Sequence, residues 1–228
     1  MSYIAHEEEY KGYHIKIEYD EDAANPRKEW DNAGTMVCWH RRYILGDEQP
    51  KESPQDYLNG LAEEYGVIRD DDDNVDQEVV ALLLAKHYVI LPLYLMDHSS
   101  ISMSTGSFND PWDSGQVGFI YMGMIKAHKE WGAADVDDGL VITQAKRCLE
   151  QEVEIYDQYL RGDVYGYVIE EDNCDESCWG FFGLDYCIQQ AREVVDYSIT
   201  RNAEKAAEHL LESMRSSARS TNLCGGCL

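Results

Sequence analysis

Apolar and polar residues alternate most cleanly at Tyr13–Tyr19 (YHIKIEY), the period of a strand with one buried face. A stretch rich in acids and turn formers, Asp20–Asp22 and Asn25-Pro26, ends it. Thr35–Trp39, entered through Asn32-Ala33-Gly34, is β-branched and aromatic enough for a second strand. Pro54–Tyr65 predicts a short helix, with Ser53 as N-cap, proline at the first helical position and Gly66 as the stop. Val75–His87 predicts another, with acids at its start and Lys86 and His87 at its end, as the helix dipole favours.

The centre of the pattern is Pro92–Tyr121. Tyr88–Met96 is almost wholly apolar and aromatic, which predicts a central strand, and Pro92 within it demands a bulge or an open edge. Ile101–Met103 is short enough to pair back on it, and Val117–Tyr121 is the next strand. Between them lie Asp97, His98, Asp110, Trp112 and Asp113 among turn dipeptides. A polar connection between two apolar strands is a common layout for a site held on a rigid scaffold.

Ile125–Trp131 reads as helical. The clearest helix then starts at Asp137-Asp138 and ends at Gly162. Val141, Ala145, Cys148, Leu149, Glu152, Tyr156, Tyr159 and Leu160 recur on it at helical spacing. Val164–Ile169 predicts a strand, Glu170–Glu176 an acidic loop, and Trp179–Phe182 a short strand or turn. Leu184–Tyr197 and Ala203–Ala218 predict two helices. Strands and helices mix without strict alternation. The expected class is therefore α+β, a mostly antiparallel mixed sheet packed by several helices, with a helical C-terminal region. Residues 1–197 are expected to form the α+β core domain, and residues 198–228 a C-terminal helix and flexible tail, either part of the same domain or a small appendage to it.

Charge changes this picture more than composition does. The chain has 44 acidic and 19 basic residues, for a net charge of −25. Residues 1–59 hold 13 acids against 7 bases, residues 60–180 hold 25 against 7, and residues 181–228 hold 6 against 5. The middle of the chain is a concentrated negative field, which repels nucleic acid and anionic membrane and attracts basic protein surfaces. No apolar run approaches the roughly 20 residues that span a bilayer. MSYIAHEEEYKG lacks the basic and apolar segments of a signal peptide, so a cytoplasm with reduced thiols is expected.

Four groups of residues carry candidate chemistry. Cys38, His40, Asp97 and His98 would make a Cys-His nucleophile oriented by an acid, or a metal site, if the strands around them are neighbours. No HExxH motif or nucleophile elbow supports either reading. Cys174, Cys178, Cys224 and Cys227 offer four thiolates for zinc, although only the last pair has common ligand spacing. Arg41-Arg42 with Arg27-Lys28 is the one basic concentration, suited to an anion or, more simply, to neutralising nearby acids. The last group is two acid runs, Asp70, Asp71, Asp72, Asp73 and Asp76, and Glu170, Glu171, Asp172, Asp175 and Glu176. The first fails as a calcium loop, because Val75 replaces the glycine and Ala81 the closing glutamate. Carboxylate rows of this kind can instead imitate nucleic-acid phosphates in a Lys/Arg groove. No Walker loop, GxGxxG or kinase signature is present, and no cofactor is expected.

Three blocks, WDNAGTMVCWHRRYILGD at Trp30–Asp47, Leu91–Tyr121 with its DPWDSGQVGFIY, and YDQYLRGDVYGYVIE at Tyr156–Glu170, together resemble a family of small accessory proteins found in tailed-bacteriophage genomes. The resemblance covers about a third of the chain. It implies a phage origin and a location in the cytoplasm of the bacterial host, and it assigns no site residues. With the charge, it leads to the expectation of an antagonist of a nucleic-acid-targeting defence, of the anti-CRISPR or anti-restriction kind. Such a protein would be an acidic nucleic-acid mimic. Its partner would be a basic host protein, a nuclease or nucleic-acid-guided complex, with no direct contact to nucleic acid or membrane and with a homodimer allowed. The alternatives are a small metal- or Cys/His-dependent hydrolase or modifying enzyme, and a phage structural or assembly protein.

Overall fold

A computed structural model describes residues 3–66, 77–132, 137–170 and 176–222, with side chains to residue 215. The class is α+β, and every strand pair within its sheets is antiparallel. Among the described residues the strands form two sheets of four, not one. The chain divides into two compact units, residues 1–21 with 164–228, and residues 22–163.

The unit of residues 22–163 contains the central stretch. Its sheet has the order β3 (Thr35–Cys38), β6 (Ser114–Gly123), β4 (Tyr88–His98), β5 (Ser100–Ser104). The β4–β5 hairpin turns at Ser99, which sits in the left-handed region (φ 59°). Proline in β4 lies in register opposite Phe119, on the part of the strand that has no partner in β5. The register shifts between Leu93 and Tyr94. β5 pairs only with Tyr94–His98, so Pro92 faces an open edge on that side.

The long helix α5 (Asp138–Arg161) lies against this sheet, burying Val141, Ala145, Leu149, Val153 and Tyr156. They pack with Met36, Leu93, Leu95, Met103 and Ile120. Gly162 caps α5 in the left-handed conformation, and its N–H bonds back to Tyr159 O at 3.0 Å. Helix α2 (Pro54–Glu63) carries the expected Ser53 cap, which accepts from Asp56 N. With α3 (Gln77–His87) it makes a smaller core of Ala62, Val80 and Leu84. Short α1 (Pro26–Glu29), capped by Asn25, falls where turn chemistry alone was expected. Helix α4 (Met124–Trp131) follows β6 directly.

The other unit is a sheet of order β1 (Ile4–Tyr10), β2 (Tyr13–Tyr19), β7 (Val164–Glu170), β8 (Glu176–Phe182), covered by helix α6 (Leu184–Asn222). Strand β2 meets β7 across the sequence, from His14 opposite Glu170 to Tyr19 opposite Tyr165. Ile15, Ile17, Tyr165, Tyr167 and Ile169 pack on Cys187, Ala191 and Val195 of α6. Two elements of this unit differ from the reading of the sequence. IAHEEEY, to which the pattern assigned no element, forms an edge strand, because pairing with β2 supplies the order its composition lacks. The two predicted C-terminal helices are one, running unbroken from Leu184 to Asn222. No Pro or Gly lies between them to stop it.

Candidate functional site

Asp110 organises the connection between β5 and β6. Its Oδ1 accepts from the backbone N–H of Trp112 (2.9 Å) and of Asp113 (3.1 Å), and those bonds hold its carboxyl below the usual range. The Ser114 hydroxyl donates to Asp110 O. This turn projects Trp112 into solvent, 91% exposed. A large indole presented this fully by a braced turn is unusual in a folded protein.

Beside it is a cleft of about 280 Å³ lined in part by His40, Arg42, Asp97, Trp112 and Asp113. Pairing of β4 with β6 reaches Met96–Ser114, and Asp97 N donates to Asp113 O at 2.8 Å, which brings the two carboxylates to one rim. Arg42 forms an ion pair with Asp97, and the Tyr43 hydroxyl donates to the same carboxylate at 3.3 Å. The His40 ring stacks on Tyr43 at 4.9 Å. Its Nδ1 accepts from Tyr43 N–H (3.2 Å), so that nitrogen carries no proton in this arrangement. His98 Nδ1 lies 2.6 Å from Asp113 Oδ2, and this bond pushes the imidazole upward from its usual range.

His40 and Asp97 are therefore brought together, and His98 reaches the same rim through Asp113. Cys38 is not part of it. Its thiol is fully buried in the core beside Met36 and Ile120, and burial, with Asp47 nearby, pushes it up to about 12. A thiol in that state is a small hydrophobe and not a nucleophile. Among the described residues no three His, Cys, Asp or Glu side chains converge to hold a metal ion. The cleft offers a guanidinium, paired carboxylates and an exposed indole, which is equipment for binding.

The basic cluster resolves into two roles. Arg27 is internal, its side chain only 1% exposed. It forks onto Asp47, with Nε to Oδ1 at 3.0 Å, and donates to Glu152 Oε2 (2.7 Å) and Gly34 O (2.8 Å). Glu152 in turn accepts from Ala33 N (2.6 Å), and Asp47 accepts from Met36 N (2.7 Å). This network ties the start of β3 to α5. Arg42, by contrast, is at the cleft, its side chain 69% exposed.

Of the acid runs, Asp70, Asp71, Asp72, Asp73, Asp76, Glu171, Asp172 and Asp175 lie outside the described residues. Glu170 ends β7 and pairs with Lys16, and Glu176 begins β8 and is exposed. Cys178 is an exposed free cysteine, while Cys174, Cys224 and Cys227 lie outside the described residues. No described helix is long and apolar enough to cross a membrane.

Trp112 and Arg42 are the functional candidates that sequence reasoning underused. The signal was there: a tryptophan inside DPWDS has no apolar neighbours to pack against. Compared with known proteins, the chain matches no family model, no curated protein and no solved structure.

Proposed function

We propose that the protein is a non-catalytic antagonist of a bacterial nucleic-acid-targeting defence, encoded by a phage and acting in the host cytoplasm. It presents carboxylates to the Lys/Arg channel of a nuclease or nucleic-acid-guided complex and takes the place of phosphates there. The observation that carries this reading is the charge of −25. Lys11, Lys16, Arg27, Arg42, Arg161 and Arg192 are each engaged by carboxylates of this chain. Bases spent in such pairs create no positive patch, and 44 acids against 19 bases leave a large surplus of negative charge. A basic channel supplies the opposing charge, and the gain is largest at low salt.

The test is direct. The partner is recovered from host lysate at low salt, and its affinity is then measured between about 50 and 500 mM salt, with a loss of at least about tenfold expected. Replacing Asp70 to Asp73 together by lysine should weaken binding by a similar factor. Salt-insensitive binding, or full inhibition by the charge-reversed protein, would sink the idea.

A further inference from the structure

Helix α6 has two halves of different character. The first is anchored by Cys187, Ala191 and Val195, all fully buried. From residue 199 to residue 215 every residue is exposed. This second half is nevertheless amphipathic. At about 100° per residue, Ala203, Ala206, Ala207, Leu210, Leu211 and Met214 fall in one arc. Arg201, Glu204, Lys205, Glu208, Glu212 and Arg215 occupy the remainder. Leu210, Leu211 and Met214 are 62%, 54% and 62% exposed. A helix segment of this length with water on all sides is marginal by itself, and burial of one face is the usual remedy.

We propose that this face pairs with the same face of a second copy of the chain, antiparallel, about a two-fold axis between Glu208 and His209. Two observations select a second copy as the occupant. The first is shape. An axis at that point sets Ala203 against Met214 of the other copy and Ala207 against Leu210, so each small residue faces a large one. These are the alternating layers of an antiparallel helix pair, and a two-fold axis makes every such contact occur twice. The second is charge. The segment carries three acids, Glu204, Glu208 and Glu212, and three bases, Arg201, Lys205 and Arg215. Elsewhere a chain of net charge −25 repels its own copy, but here two copies meet without that penalty. The seam is short, about 16 Å from Ala203 to Met214, so the dimer is weak, with a dissociation constant on the order of micromolar.

The full chain should sediment as a dimer at about 100 μM and as a monomer well below the dissociation constant. Leu210→Glu with Met214→Glu should be monomeric throughout, with the near-ultraviolet spectrum of the folded core intact; should that pair disturb folding, Leu210→Gln carries the same expectation. Orientation is read by disulfide trapping in a chain whose Cys178, Cys224 and Cys227 are serine. A mixture of Ala203→Cys and Met214→Cys chains should cross-link readily, and either alone poorly. A chain that stays monomeric at every concentration, whether or not α6 then captures a different protein, would overturn the proposal. So would a dimer that survives the glutamate substitutions, or Ala203→Cys chains that cross-link alone as well as in the mixture.

Discussion

Two side chains show how far environment sets a residue's role. Arg27 and Arg42 are fifteen positions apart in the same basic cluster, yet one is structural and the other lines a cleft. Arg27→Ala would leave Asp47 and Glu152 facing each other without a counter-charge inside the protein. Loss of about 3–5 kcal/mol is expected, measured by urea unfolding. Arg27→Lys should recover only part, since an ammonium cannot reproduce the fork onto Asp47. His98 makes a second prediction. Its hydrogen bond to Asp113 favours the protonated ring. Because the folded value is raised, the pair's contribution is present in full below the unfolded value, about 6.5, and is lost as pH rises through the folded one. An NMR titration should therefore place His98 above about 6.5, and Asp113→Asn should bring it back toward that value.

Among the elements, the contact between β3 and β6 depends on one missing side chain. A Cβ at Gly118 would stand 1.9 Å from Val37 O and 3.0 Å from Cys38 Cα. Both neighbours are backbone, so neither can swing aside. Gly118→Ala should cost at least about 3 kcal/mol in thermal or urea unfolding, with β3 peeled from the sheet. A loss below about 1 kcal/mol would mean that the strands separate easily. Much at this scale was legible from periodicity and end signals. Tyr13–Tyr19, Thr35–Cys38 and Tyr88–Met96 carry strand patterns, and Ser53 and Gly162 mark helix ends. Strand β1 was not legible, because HEEEY has the composition of a solvated segment and is a strand only through β2. Part of the candidate site was legible too: His40, Asp97, His98 and Asp113 stood out by residue type, while the burial that takes Cys38 out of the cleft was not, because burial is not a local property.

For the whole molecule, charge is the leading physical feature. Screening should relieve self-repulsion among the surplus acids more than it weakens exposed ion pairs, each worth about 0–1 kcal/mol. Raising salt from about 20 to 300 mM should lift the melting temperature by about 2–4 °C, equivalent to about 1 kcal/mol for a chain of this size. A lower melting temperature in salt would indicate that attractive pairs outweigh the repulsion.

The sequence by itself determined the α+β class, most strands and helix ends, the absence of a long apolar span, and the size and placement of the negative charge. These follow from composition and from periods of two and 3.6, which are local quantities. Tertiary structure alone decided that β2 pairs with β7 and not with the central strands, that Arg27 turns inward onto Asp47 and Glu152, and that Cys38 is sealed in the core. It also decided that Trp112 stands fully in solvent beside Arg42 and Asp97. Each of these depends on partners that are distant in sequence or on burial that many residues share, and no window along the chain contains that information.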